Sequence, residues 1–121
     1  MKRNERLSLG RKGEDIAAEY LEKNGCRILE RNFRCRYGEI DIIAMDGSTL
    51  CFVEVKTRSR VSFGLPCQAV DWKKEQHIMR CAYCYMRESE AECSGIRIDI
   101  VEILHCYGKY ILRRIKGGRA A

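Results

Sequence analysis

The sequence predicts an α/β fold with a mixed central sheet, on three observations. A segment of helical periodicity precedes three strand-like runs, and a second helical segment precedes one or two more. The dipeptide Asp46-Gly47 separates two apolar runs, a strong hairpin signal because both residues tolerate positive φ. The stretch Ile96 to Leu104 alternates cleanly enough for a strand. A chain of 121 residues fits one domain, residues 1–121, able to bury roughly two thirds of its unfolded surface without staples.

Taken in order, Ser8 is placed to cap a helix running to about Asn24, with Gly25 as the left-handed residue that ends it. Leu9, Ile16, Ala17, Tyr20 and Leu21 recur along it at helical spacing. Glu14 lies about 20° around the helix from Leu21, on or beside that stripe, and Asp15 points elsewhere. An acid so aimed is either a site residue or an N-terminal-turn carboxylate favoured by the helix dipole. Cys26 to Phe33 reads as a first strand and Arg34 to Gly38 as a polar turn; strands follow from about Glu39 to Met45 and from Leu50 to Val55. Thr57 to Pro66, with Gly64 and the only proline, reads as a loop before a helix from about Gln68 to Arg87. Its apolar stripe is Ala69, Trp72, Met79, Tyr83 and Met86, with Lys73 and Arg80 along the edge. A loop from Glu88 to Gly95 leads to the strand at Ile96, and Tyr107-Gly108 turns it into a last strand, Tyr110 to Ile115. The basic tail from Lys116 is expected to be mobile.

With 45% apolar and 33% charged residues, the composition is neither disordered nor membrane-like. No apolar run approaches the roughly 20 residues of a membrane span. The stretch Leu7 to Gly10 is too short and mixed for a signal peptide, so the expected location is the cytoplasm. Eight cysteines without a secretory signal are expected to be mostly free thiols. The spacing His77-x3-Cys81-x2-Cys84 supplies one short-spaced hook where zinc sites usually pair two, which favours packing on a helix face. The net charge of +6, from 23 Lys and Arg against 17 Asp and Glu, favours a polyanionic partner. Arg34 and Arg36 lead into the central hairpin, Arg58 and Arg60 leave it, and Lys73 lies on the second helix. These five are the expected nucleic-acid contacts.

Charges in strands that should be buried cost several kcal/mol unless partnered. Side chains alternate, so Glu39, Asp41 and Ile43 share one face of their strand, and Phe52, Glu54 and Lys56 one face of the next. A two-residue turn at Asp46-Gly47 sets Asp41 opposite Phe52 and diagonal to Glu54. A four-residue loop, pairing Met45 with Leu50, sets Asp41 opposite Glu54 and Glu39 opposite Lys56. Both even-length loops bring the acids together, whereas a three-residue loop would separate them; directly opposite neighbours lie about 4.5–5.5 Å apart at Cβ, where carboxylates repel and a bound cation removes the conflict. Mg²⁺ or Mn²⁺ held by Asp41, Glu54 and the Val55 carbonyl would serve phosphodiester hydrolysis. Lys56 would position or help deprotonate the attacking water, Glu14 would complete the site, and Glu39 would support it or pair with Lys56.

Asp41 followed thirteen residues later by Glu54-Val55-Lys56 resembles the signature of the PD-(D/E)xK nuclease superfamily, and helical Glu14 resembles its Holliday-junction resolvase-like branch. Gly13-Glu14 with Ala17, Arg31-Asn32, Gly38 to Ala44, Phe52 to Arg58, and Gly64 with Ala69-Val70 resemble the YraN-like bacterial family across most of the chain. Ile40 stands where the superfamily name has proline. The resemblance implies a restriction-endonuclease-like α-β-β-β-α-β core with a mixed central sheet flanked by helices, a metal-dependent endonuclease-like site acting on DNA, branched or damaged DNA among the candidates, and a homodimer. The same residues also fit a non-catalytic nucleic-acid-binding protein retaining that fold, or a salt-bridged patch on an exposed sheet face.

Overall fold

The computed structural model describes residues 3–59 and 72–117, with side chains from 11 to 58 and from 73 to 117. Helix α1 (Arg3–Lys23) is followed by β1 (Arg27–Cys35), β2 (Gly38–Asp46) and β3 (Thr49–Ser59), then α2 (Trp72–Glu88), β4 (Gly95–Cys106) and β5 (Lys109–Ile115). The strands form one sheet in sequence order. The β1/β2, β2/β3 and β4/β5 pairs are antiparallel, and β3 and β4 are parallel, the two joined by the connection that contains α2. This is the α-β-β-β-α-β core expected from the sequence.

Helix α1 starts before Ser8, which is therefore inside the helix rather than its cap; the preceding Arg, Glu and Leu residues are good helix formers and extend it at little cost. It ends as expected at Gly25, whose φ of 88° lets Cys26 N–H donate to Leu21 O at 2.9 Å and Gly25 N–H to Glu22 O at 3.1 Å. Strand β3 runs through Thr57 to Ser59 instead of ending at a loop, because β4 continues alongside it to the pair Ser59↔His105 and satisfies its backbone. On α2 the sheet takes Ile78, Cys81, Ala82 and Tyr85; of the stripe expected from helical spacing, Met86 packs against this core and Tyr83 is 61% exposed. Residues 68–71, the expected start of that helix, lie outside the described residues. Lys116 and Gly117 of the basic tail contact Asp46 and Asp99, and residues 118–121 lie outside.

The helices cover opposite faces. Ala17, Ala18 and Leu21 of α1 pack on Ile42, Ala44, Cys51, Val53, Val101 and Ile103. Ile78, Cys81, Ala82 and Tyr85 of α2 pack on Phe33, Ile40, Ile43, Leu50, Phe52 and Ile100. Burying a Leu- or Phe-sized side chain contributes about 1.5–3 kcal/mol each, so these two clusters hold the layers together. At the far end of the sheet, Asp99 is fully buried and accepts from Arg97 Nε at 2.7 Å, an Arg114 guanidinium nitrogen at 3.1 Å and Gly117 N–H at 3.1 Å. Asp46 joins the network through Arg97, Arg114 and Lys116. With both guanidiniums engaged the buried carboxylate is compensated, so this end is a structural brace.

Candidate functional site

The hairpin adopts the second of the two expected registers, Met45↔Leu50 with Asp46↔Thr49. Carried on from Ile42↔Val53, the last regular pair of β2 with β3, that register brings Asp41 opposite Glu54. The Val55 N–H donates not to a strand carbonyl but to Asp41 Oδ2, at 2.8 Å. The side chain of Asp41 thus bridges two parting strands.

A second irregularity sits beside it. Phe33 and Ile40, partners across β1 and β2, belong to the α2-side core, whereas Ile42 belongs to the α1-side core and its partner Arg31 donates to Asp15 of α1 at 2.7 Å. Both strands therefore invert their facing between these pairs, at Asn32 and Asp41. Asn32 takes φ of 54°, the left-handed conformation Asn tolerates better than most residues. This corrects the expectation from strict alternation that Glu39, Asp41 and Ile43 share one face. With its amide nitrogen turned toward the acids, Asn32 donates to Glu14 Oε1 at 3.0 Å and Glu39 Oε1 at 3.1 Å.

Four acids are thereby brought together electrostatically. Asp41 is pushed up to about 6 by burial, opposed by the Val55 N–H, and further by the charges of Glu54, Glu14 and Glu39. Burial also raises Glu14, against the pull of Arg31, whose guanidinium lies 4.0 Å away. Glu14 is half-buried on α1 and Asp15 exposed, as their helical spacing predicts. What positions Glu14 is Gly13: a Cβ there would collide with Thr57 Oγ1 of β3, with Thr57 Cβ and Cγ2 at 3.1 and 3.2 Å. The missing side chain lets α1 lie directly on the strand that carries Glu54 and Lys56.

Glu54, 12% exposed, is paired with Lys74 from the first turns of α2. Lys56 is half-buried on β3 in register with Glu102 of β4. Glu39 pairs with Arg34 at 3.5 Å, and the guanidinium of Arg36 lies 4.8 Å from the Tyr37 ring centre and donates to its hydroxyl. Arg34, Arg36 and Lys73 are exposed and Arg58 half-exposed; Arg60 lies outside the described residues. Among the described residues, no three His, Cys, Asp or Glu side chains converge as a metal-binding group by themselves. The donor set of the expected site is two carboxylates and a carbonyl, and its net repulsion suits an oxygen-liganded cation that keeps several waters.

Reasoning from the residues alone missed Asn32 and Lys74. The signal for Asn32 was a residue tolerant of left-handed geometry inside a strand; for Lys74 it was only proximity to Lys73, since the rotation of α2 decides which of them reaches β3. His77 is exposed and does not join the buried Cys81; Cys35 from β1 does.

Fold and site together define an α/β protein whose carboxylates gather where two strands of a mixed sheet part, between its flanking helices. The profile of Uncharacterised protein family UPF0102 matches residues 13–103. A UPF0102 protein of Caldanaerobacter subterraneus subsp. tengcongensis is 48% identical over 103 residues, covering 85% of this chain and 84% of its own. One from Rhodococcus opacus is 46% identical over 102 residues, covering 84% and 86%, and one from Chlorobium chlorochromatii 49% over 100 residues, covering 83% and 77%. The chain belongs to the UPF0102 family, the YraN-like group its motifs resemble. Among the described residues, no helix is long and apolar enough to cross a membrane.

Proposed function

We propose that the chain is a metal-dependent endonuclease that hydrolyses phosphodiester bonds in DNA, with branched or damaged DNA the first substrates to try. The observation that carries this reading is Asp41, held by the Val55 N–H at the parting of β2 and β3 and raised by its burial and by three neighbouring acids. Clustered negative charge without an ion weakens the fold, and evolution retains such strain where it serves a site.

Asp41, Glu54 and the Val55 carbonyl would hold Mg²⁺ or Mn²⁺. When bound, the ion neutralises charge on the phosphate and lowers the pKa of a water. Lys56, two residues beyond Glu54 on β3, orients that water or stabilises charge developing on the phosphate. Glu14, fixed by Gly13 and Asn32, holds the site from the α1 side, with Glu39 supporting it through the same amide. Arg34, Arg36, Arg58 and Lys73 supply phosphate contacts, which position the backbone without reading sequence; Arg60 is proposed with them. Two copies acting together would suit a branched substrate.

The test is cleavage of single-stranded, duplex and junction DNA with Mg²⁺ or Mn²⁺. Wild type should cut at least one, and Asp41→Ala and Glu54→Ala none while keeping the wild-type circular-dichroism spectrum. A well-folded wild type that cuts none of them refutes the proposal.

One observation favours a second reading, a nucleic-acid-binding protein without catalysis: Glu54 already has a cation in Lys74. On that reading DNA binding persists in EDTA, and titration of Mn²⁺ gives no binding to wild type or to Lys74→Met. On the endonuclease reading Mn²⁺ binds, and more tightly once Lys74 is removed.

A further inference from the structure

Cys35, at the end of β1, has its Sγ 3.1 Å from Cys81 Sγ on α2, and Cys84, one helical turn on, also hydrogen-bonds to Cys35. All three are free thiols. The Tyr37 N–H donates to Cys35 Sγ at 3.4 Å and the Gly38 N–H is directed at the same sulfur, so the hairpin turn forms a cradle of donors for an anion. Gly38, at φ of 141°, brings its backbone against Cys81, where an added Cβ would sit 3.7 Å from the sulfur.

The three thiols are not equivalent. Burial works against ionisation of Cys35, but donation from Cys81, Tyr37 N–H, Cys84 and Gly38 N–H outweighs it and holds the thiol below its usual range. Burial pushes Cys81 up to about 12. Cys84 is raised as well, by burial first and by Cys35 next. One sulfur thus favours the nucleophilic thiolate while its neighbour keeps a proton. Cys35 is itself only half-buried, and beside it, at its neighbours Tyr37 and Cys84, lies a cavity of about 520 Å³ also lined by Arg80, Tyr83 and Arg87, whose two guanidiniums add positive potential.

We propose that Cys35 is a reactive nucleophile toward hydroperoxides and that Cys81 resolves it, closing a Cys35–Cys81 disulfide. The Cys35 thiolate attacks one peroxide oxygen; the O–O bond breaks, Cys35 becomes a sulfenic acid, and hydroxide leaves to take up the proton the thiol had lost. Cys81 sulfur then attacks the sulfenyl sulfur; the S–S bond forms, the S–O bond breaks, and hydroxide departs with the Cys81 proton as a second water. Two thiols supply two electrons, and one hydrogen peroxide becomes two waters. The sulfurs need to approach by only about 1 Å to reach the roughly 2.05 Å of a disulfide. Neither the carboxylates nor DNA takes part, so this proposal fails or stands independently of nuclease activity.

The full reduced chain, free of metal, is exposed to hydrogen peroxide at neutral pH, quenched with an alkylating agent, digested without reduction and read by mass spectrometry. The expected product is one linked peptide pair joining Cys35 to Cys81, two hydrogens lighter than the thiols. Cys93, exposed in the loop before β4, is the internal reference, and Cys35 should be consumed at least about tenfold faster, as thiolate character predicts. In Cys81→Ala, which keeps a small apolar group in the core, dimedone should trap a sulfenic acid at Cys35. Consumption of Cys35 no faster than Cys93, or a Cys35–Cys84 linkage in wild type, would overturn the proposal.

Discussion

Replacing Asp41 by Asn should stabilise the metal-free protein at neutral pH, the reverse of what removing a partnered charge does. A carboxyl shifted from its ordinary 3.8 to about 6 corresponds to about 3 kcal/mol of penalty on the charged form. The Val55 N–H bond is already counted in that shift, but Asn puts a half-buried amide nitrogen where the second carboxylate oxygen was, at a cost of about 1 kcal/mol. The net gain expected at pH 7 is on the order of 1–2 kcal/mol, a rise in Tm of several degrees for a chain of this size. The sign also fixes the pH dependence. The folded state holds the Asp41 proton more tightly than the unfolded state, so wild-type stability falls as pH rises from about 4 to about 6 and is level above that. Urea unfolding in EDTA at pH 4.5 and 7 should find the two proteins close at the lower pH and apart at the higher. Adding Mn²⁺ at pH 7 should stabilise wild type and leave Asp41→Asn unmoved. An Asn variant less stable than wild type at pH 7, or a difference independent of pH, would refute the electrostatic reasoning.

Gly13→Ala gains up to about 1 kcal/mol of helix propensity but overpacks against Thr57, at about 1–3 kcal/mol. Rotating Thr57 can move its hydroxyl aside but leaves its Cβ 3.1 Å from the new methyl, so a net loss of about 1 kcal/mol in urea unfolding is expected. Asp99→Ala leaves the Arg97 and Arg114 guanidiniums without their buried anion and should cost about 3–5 kcal/mol, read by thermal unfolding. Burial opposes the Asp99 carboxylate, but Arg97, the Gly117 N–H and Arg114 outweigh it and hold it below its ordinary 3.8. Its contribution is therefore present above about pH 4 and lost below, a window separate from that of Asp41. Alanine at both Arg34 and Arg36 should weaken DNA binding at every sequence tested and reduce the slope of log K against log salt by about 2, as two lost phosphate contacts require.

The element order, the hairpin at Asp46 and the cap at Gly25 were legible because each rests on local chemistry: periodicity, turn residues and a left-handed glycine. The meeting of Asp41 with Glu54 was legible too, once an even-length loop was assumed. The inversion of facing at Asn32 and Asp41 was not, since period-2 reasoning supposes an unbroken pleat, and the left-handed Asn32 breaks it on β1. The buried row of α2 was missed for a related reason. Helical spacing alone fits the stripe Ala69, Trp72, Met79, Tyr83 and Met86 about as well as the row that the sheet receives, Ile78, Cys81, Ala82 and Tyr85, which leaves Tyr83 outside. The Cys35 cluster joins residues 46 positions apart, and no spacing within either segment announces it.

Strands β1 to β3 are a meander of neighbours in sequence, whereas β4 pairs with β3 only after the crossover that contains α2. Local pairings close their loops at lower entropic cost and are expected to form earlier. Asp41 and Glu54 would then meet before Lys74, carried by α2, arrives to balance them. Their repulsion is consequently a barrier to folding as well as a weakness of the folded state. Stopped-flow refolding should show Asp41→Asn gaining its stability in the folding rate rather than in the unfolding rate.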